Sequence, residues 1–272
     1  MTDAPDTKVA IERHGPIAVV RIDRPQVHNA LSAQVLRDLD TAMAGLSAEG
    51  MRAIVLTGTG TRAFSAGADL DELAGLTAEQ AHDVLGAGQE VIARIDRSPV
   101  PVIAAVNGLA LGGGFELVLA CTFAVLADGA ELGLPEAGLG LMPGYGGTQR
   151  LARYVGRPVA AHTMLTGERI PAGRAFALGL TPVPPVPVEN VVESARGLAL
   201  RIAARGPRAV RAVLLALRHG PDVPLDAGLA FESALAGLVT GGEEAIEGIA
   251  AFQGKRPPVF DATRAQPTGE KA

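Results

Sequence analysis

Apolar and polar positions along the chain change period several times, and each change marks an element. "VAIERHGPIAVVRID" carries two short apolar-rich runs on either side of His14-Gly15-Pro16, the pattern of a hairpin. After the loop "RPQVHNALS", Ser32 stands where it would cap a helix from Ala33 to about Leu46, with Val35, Leu36, Leu39 and Met43 on one side. "AIVLTG" (53–58) is a buried strand bounded by a Gly/Thr loop. "FSAGADL" is a second loop of small residues, leading to a helix that continues through "AEQAHDVLGAGQEVIARID". Pro99 and Pro101 introduce the next strand, "PVIAAVN", followed by a glycine turn and a helix "FELVLACTFAV". Strands alternating with helices predict an α/β layer structure with ligands at the carboxyl ends of strands.

Beyond Arg150 the spacing is helical in every segment, punctuated by glycine and proline, and no strand is expected. "TPVPPVPV" (181–188) reads as a stiff extended connector. No fixed-period repeat stands out. The apolar run from Val100 to Ala127 is long enough to span a bilayer, and Gly108 and Gly112 form a G-x-x-x-G pair within it. Asn107-Gly108 is a turn signal, however, and three adjacent glycines weaken any spanning helix, so the run is read as buried core.

Composition narrows the class. The 272 residues are 48% hydrophobic and 19% charged, enough for one large domain or a core with an appendage. Net charge is -5 with the signs interspersed, and aromatics are 3%, which excludes a basic nucleic-acid surface. The single Cys121 leaves no intramolecular disulfide, and the acidic start "MTDAPDTK" is unlike an export signal. A cytoplasmic protein is expected.

Most motif-like stretches have plain readings. "GTGTRA" after the strand imitates a dinucleotide fingerprint, but no helix opens there, so it is a tight turn. "GLMPGYGGTQ" lacks the lysine of a phosphate loop, the five histidines are scattered, and no G-x-S-x-G elbow occurs. No metal site is expected. Two features resist such readings. Glycine-rich "SAGAD" and "LGGGFE" let a ligand approach the backbone, and where "GGG" opens a helix its N–H groups are unpaired first-turn donors. Two such donors on one carbonyl oxygen would form an oxyanion hole, worth roughly 2.7–4 kcal/mol per donor. The second feature is an acid pair. Between Ser98 and Ala127, Glu116 is the sole carboxylate and no Lys or Arg occurs; Glu136 follows in "GLPEAGLG". Close acids in an apolar pocket push their pKa values apart and could hold a water and move protons in both directions.

With "AFSAGADLDEL", "PVIAAVNGLALGGGFEL", "LGLPEAGLGLMPGYGGTQRL" and "LTGERIPAGRAFALGL" in this order, the chain resembles the crotonase, or enoyl-CoA hydratase/isomerase, superfamily over nearly its whole length. The resemblance implies oxyanion donors at the backbone N–H groups of Ala68 and Gly113, polarising the thioester carbonyl of an acyl-CoA. It implies Glu116 as the group that activates water for the β-carbon, and Glu136 as the proton source at the α-carbon. Ala66 to Asp71, with Ala68, Asp69 and Leu70, is similar to the family's CoA-binding loop. Phe252 and Lys255 match a C-terminal pair that reaches the CoA nucleotide of a neighbouring subunit. Asp71 stands where many hydratases carry a basic residue, and Thr122 where an aspartate is common.

The fold so implied is an α/β spiral of repeated ββα units, with the core over 1–200 and a helical C-terminal oligomerisation region over 201–272. Homotrimers or homohexamers are implied, with no metal and no cofactor, since CoA arrives as part of the substrate. Holding both acids favours hydration of a trans-2-enoyl-CoA. A Δ3-Δ2 isomerase or another acyl-CoA enzyme of the superfamily, and a non-catalytic acyl-CoA-binding subunit, are the alternatives. Acyl-chain length would be set by residues around 70–95 and 140–145; the pathway is open.

Overall fold

The structure, a computed structural model, describes residues 7–260. Its first sheet starts with the hairpin: β1 (Val9–His14) and β2 (Ile17–Ile22) run antiparallel, with Gly15 at φ +60 in the turn. Gly15 faces no neighbour that would oppose a side chain, so the left-handed backbone is what calls for glycine there. β3 (Ala53–Gly58), β5 (Val102–Val106) and β7 (Phe123–Leu126) extend the sheet in parallel, in the order β1-β2-β3-β5-β7. Every residue of β3 and β5 is buried, as apolar runs without alternation require of strands covered on both faces. Ile54, Leu56 and Ile103 are fully buried, each worth about 1.5–3 kcal/mol.

A second sheet holds β4 (Ala63–Ser65), β6 (Leu109–Leu111), β8 (Glu131–Gly133) and β9 (Ile170–Pro171), in that order. The chain visits the sheets alternately. β3 then β4 lead to helices α2 (Leu70–Leu73) and α3 (Ala78–Asp96), β5 then β6 to α4 (Gly113–Ala120), and β7 then β8 to a 3-10 turn and α5 (Gly147–Val155). These are the ββα units that the family resemblance implies. They start at Ala53, Val102 and Phe123, so unevenly that no fixed period appears. The helix α1 (Ala33–Ala48) begins where predicted, with Ser32 Oγ accepting from the Val35 N–H at 3.3 Å. α6 (Arg157–Thr166), α7 (Ala172–Ala177) and α8 (Val191–Ala203) follow.

Three expectations need correction, and a fourth gains a detail. The helix expected to continue from "FSAGADL" is broken: α2 ends at Leu73, Gly75 takes φ +74, and Thr77 caps α3 anew with a capping box. "FELVLACTFAV" is not one helix. It ends at Ala120, and Thr122 docks on β5, donating its N–H to the Val102 carbonyl (2.8 Å) and accepting the Val102 N–H at Oγ1 (3.0 Å). Phe123–Leu126 is then strand, because a buried apolar run fits either state until its pairing partner is known. Downstream of Arg150, β9 pairs antiparallel with β8 where no strand was expected. Lastly, the proline-rich connector is anchored: Val186 bridges Ala127, and the buried Thr181 donates its hydroxyl to the Ala124 carbonyl at 2.7 Å.

Contacts divide the chain into two compact units, one ending at Ala199 and one beginning at Leu200. In the second unit α9 (Pro207–His219) packs on α10 (Leu225–Thr240), which packs on α11 (Glu243–Gln253). Among its described residues only Gly206 and Ala251 are buried. No helix of the described residues is long and apolar enough to cross a membrane.

Candidate active site

The three glycines at the head of α4 each answer to a different neighbour. Gly112 adopts φ 51, ψ -129 and donates its N–H to the Gly133 carbonyl at 2.9 Å. A Cβ at Gly113 would stand 2.9 Å from the Tyr145 ring, and one at Gly114 would collide with the Ser65 carbonyl oxygen. Without those side chains, the loop after β4 comes down onto the start of α4. The Ala68 nitrogen lies 3.4 Å from where a Gly113 Cβ would be.

Three amides of the loop after β4 are spent. Ala66 donates to the His28 carbonyl (2.9 Å), Gly67 to Ser65 Oγ (3.2 Å) and Asp69 to the Leu31 carbonyl (3.1 Å). Among the described residues the N–H groups of Ala68 and Gly113 donate to no carbonyl or side chain. Gly113 is also the first residue of α4, where the helix has no internal acceptor for its N–H and the dipole is positive.

Both acids face the same cavity of about 720 Å³, which Ala68 and Gly113 also line. Glu116 is 1% exposed. Its Oε1 accepts the N–H groups of Tyr145 (2.8 Å) and Gly147 (2.7 Å). Burial pushes its pKa from 4.5 up to about 7; the two N–H bonds and Arg150 oppose the rise, and the charge of Glu136 adds to it. The first-turn position alone would favour ionisation, but desolvation outweighs the dipole here. Glu136 opens a 3-10 turn, and its Oε1 lies 3.2 Å from where a Gly112 Cβ would stand. Its Oε2 is buried with no hydrogen-bond partner among the described residues, and burial raises its pKa above the ordinary carboxylate value.

The remaining candidates divide. Ala66, Asp69 and Leu70 line the cavity with Ala68. The Asp69 carboxylate is held by Arg24 at 2.9 Å, and the same Arg24 nitrogen donates to the Ala30 carbonyl at 3.0 Å. Asp71 is exposed and is not among the lining residues. Phe252, 86% exposed, and Lys255, exposed at φ 50, lie in the second unit.

Gly147 and Arg150 escaped sequence reasoning, and Tyr145 was expected only within the acyl-pocket stretch around 140–145. Tyr145, 3% exposed, and Gly147 support Glu116 through their main chain. A Cβ at Gly147 would stand 2.9 Å from Glu116 Cγ, so that glycine makes room for the acid. Arg150 holds the same segment, donating to the Tyr145 carbonyl (2.9 Å) and to Asp96 (3.2 Å). "GYGGTQR" was visible as a glycine-rich stretch, but its role depends on a contact with Glu116 across the fold.

Comparisons with known proteins identify relatives of nearly the whole chain. The family described as enoyl-CoA hydratase/isomerase matches residues 12–263. Crotonyl-CoA hydratase of Syntrophomonas wolfei is 36% identical, covering 93% of this chain and 97% of its own. 2,3-Dehydroadipyl-CoA hydratase of Escherichia coli is 39% identical over 93% and 98% of the two chains. The crystal structure of an enoyl-CoA hydratase from Bacillus anthracis superposes with a TM-score of 0.89 at 38% identity, covering 93% of this chain and 98% of that one. The chain belongs to the enoyl-CoA hydratase/isomerase family.

Proposed function

We propose that this protein is an enoyl-CoA hydratase, a hydro-lyase that adds water syn across the 2,3 double bond of a trans-2-enoyl-CoA to give a 3-hydroxyacyl-CoA. The observation that carries the reading is the pair of unspent amides, Ala68 and Gly113, brought together beside the buried carboxyl of Glu116 and the half-buried one of Glu136. The names of the relatives support the same chemistry.

The two N–H groups take the thioester carbonyl oxygen. Between them the carboxyls hold one proton, because close acids do not ionise together. In the arrangement that reacts, the shared proton sits on Glu136; Glu116, then ionised, accepts a proton from water as the oxygen bonds to the β-carbon. The π electrons of the double bond shift onto the carbonyl oxygen, giving an enolate held by Ala68 and Gly113. The enolate then takes the proton of Glu136 at the α-carbon. Water's two parts are thus added, Glu116 ends protonated and Glu136 ionised, and a proton passes back before the next turnover. Both acids act from one side of the acyl plane, hence syn addition. No metal or cofactor is called for; CoA enters with the substrate, bound at Ala66, Ala68, Asp69, Leu70 and Gly113. We further propose a cytoplasmic homotrimer or homohexamer in which Phe252 and Lys255 serve a neighbouring copy's CoA.

The test is hydration of crotonyl-CoA, followed as loss of enoyl-thioester absorbance, with the product identified by mass. Turnover that falls on replacing Glu116 or Glu136 by Gln is the expected result. A folded protein inactive on short, medium and branched enoyl-CoAs overturns the reading. An isomerase would instead convert a 3-enoyl-CoA and keep that activity in Glu116→Gln.

A further inference from the structure

Two cavities meet at Tyr145. The catalytic cavity is one; the other, about 380 Å³, lies between α1 and α3, walled by Leu36, Val84, Ala87 and Val91, with Arg37 and Asp83 among its polar lining. Ala68, Asp69, Leu73 and Tyr145 line both. The Tyr145 ring is wedged between two glycines. A Cβ at Gly113 would stand 2.9 Å from its Cδ2 and Cε2 on the catalytic side. A Cβ at Gly88 of α3 would collide with its Cε1 and lie 2.9 Å from the hydroxyl oxygen. A side chain at either position would displace the ring, so this wall depends on both glycines.

The residue divides its work. Its N–H holds Glu116 and its carbonyl accepts from Arg150, so the chemistry uses the main chain alone. Its side chain makes no hydrogen bond to the catalytic groups. What the ring does is separate one largely apolar space from another. Ala68, whose N–H would hold the thioester oxygen, borders both spaces, so an acyl tail leaving the reacting carbons toward α3 runs into the ring.

We infer that the Tyr145 side chain is the partition that limits acyl-chain length, and that the cavity behind it receives the tail of a longer chain once the ring is removed. This rests on the acyl-thioester reading above. Its test therefore uses binding, which needs no turnover: calorimetric titration with butyryl-, octanoyl-, dodecanoyl- and hexadecanoyl-CoA.

For the wild type, affinity should cease to rise along this series, whereas Tyr145→Ala should bind dodecanoyl-CoA at least about tenfold tighter than the wild type does. Adding Ala87→Phe, which fills the second cavity from α3, should cancel that gain. Tyr145→Leu, which keeps an apolar wall of smaller volume, stands in if the alanine variant shows a lost thermal transition, and should give a smaller gain of the same sign. The same chain-length profile in the wild type and the shortened variant overturns the partition, as does a gain that survives Ala87→Phe. Hydration of crotonyl-CoA by the wild type alongside an unchanged profile would sink the partition alone. Failure of every acyl-CoA to bind the wild type would sink the functional reading with it.

Discussion

At the scale of single residues, the site is built from conflicts that local rules alone would forbid. Glu116 keeps a carboxyl in a nearly dry place, which has a consequence for stability. Unfolded, it sheds its proton near 4.5; folded, near 7. Between those values the unfolded chain has lost a proton the folded chain retains, so stability falls as pH rises through that window and is level above it. Glu116→Gln keeps an acceptor for the N–H groups of Tyr145 and Gly147 and removes the titration. We expect it to be more stable than the parent at pH 8 by on the order of 1–3 kcal/mol, with the difference vanishing near pH 4. Its kcat should fall by roughly 10²–10⁴. Urea midpoints at the two pH values check the first claim, and an equal gap at both would refute it. Glycines give a second contrast. Gly114→Ala drives a methyl into the Ser65 carbonyl and should cost about 1–3 kcal/mol or more. Gly45, exposed in the last turn of α1 with nothing within 4 Å of its Cβ position, should gain up to about 0.5–1 kcal/mol as alanine. Opposite shifts in Tm would confirm that packing, not chain freedom, selects glycine at 114. Much of this was legible in the sequence: a lone acid among apolar residues behind three glycines already pointed to a buried carboxyl beside free amides. Which neighbour excluded each side chain was not, since Ser65 and Tyr145 lie far from 112–114 along the chain.

Among the elements, the carboxyl pair works because α4, the 3-10 turn at Glu136 and the segment before α5 converge. A pair sharing one proton predicts a bell-shaped kcat/KM. The descending limb should lie near pH 7, where the last shared proton leaves, and the ascending limb above the ordinary carboxylate range, where the second is lost. A kcat/KM that keeps climbing past pH 9 would show that the doubly ionised pair is the working form. Arg150 separates positioning from mere support. Its charge lowers the Glu116 pKa while its guanidinium ties Tyr145 to Asp96. Arg150→Ala should therefore lower kcat and move the descending limb to higher pH. A loss of activity with an unmoved limb would mean that only loop order was disturbed. Periodicity was a good guide to elements with one exposed face, such as α1 and the hairpin. It failed where everything is buried: from Leu117 to Val125 helix and strand share one apolar composition, and only Thr122 docking on Val102 decides between them. The left-handed turn at Gly75 that parts α2 from α3 leaves no mark on helical spacing, and two-residue β9 is too short for any periodic signal.

For the whole molecule, the second unit poses a problem that one chain does not solve. α9 and α10 bury no residue, and Leu217, Leu225, Leu238, Ile246 and Phe252 stand between 68% and 86% exposed. Apolar side chains on three consecutive helices with almost nothing buried among them are far from the composition a soluble monomer tolerates. The first unit, by contrast, has a complete core of Ile, Leu, Val and Phe. Closed symmetry is the usual way a chain covers such a face with its own copies. We therefore expect sedimentation equilibrium to return three or six copies of the 27.8 kDa chain, with no monomer at micromolar concentration. Placing charges on this face, as Leu217→Glu with Leu238→Glu, should shift the mass toward monomer while the first unit keeps its far-ultraviolet signature. The same variant distinguishes assembly from catalysis. If Phe252 and Lys255 serve a neighbour's CoA, loss of assembly should raise KM for the CoA ester more than it lowers kcat, since Glu116, Glu136 and both amides belong to the first unit. A dissociated variant with unchanged KM would show that each chain binds its substrate alone.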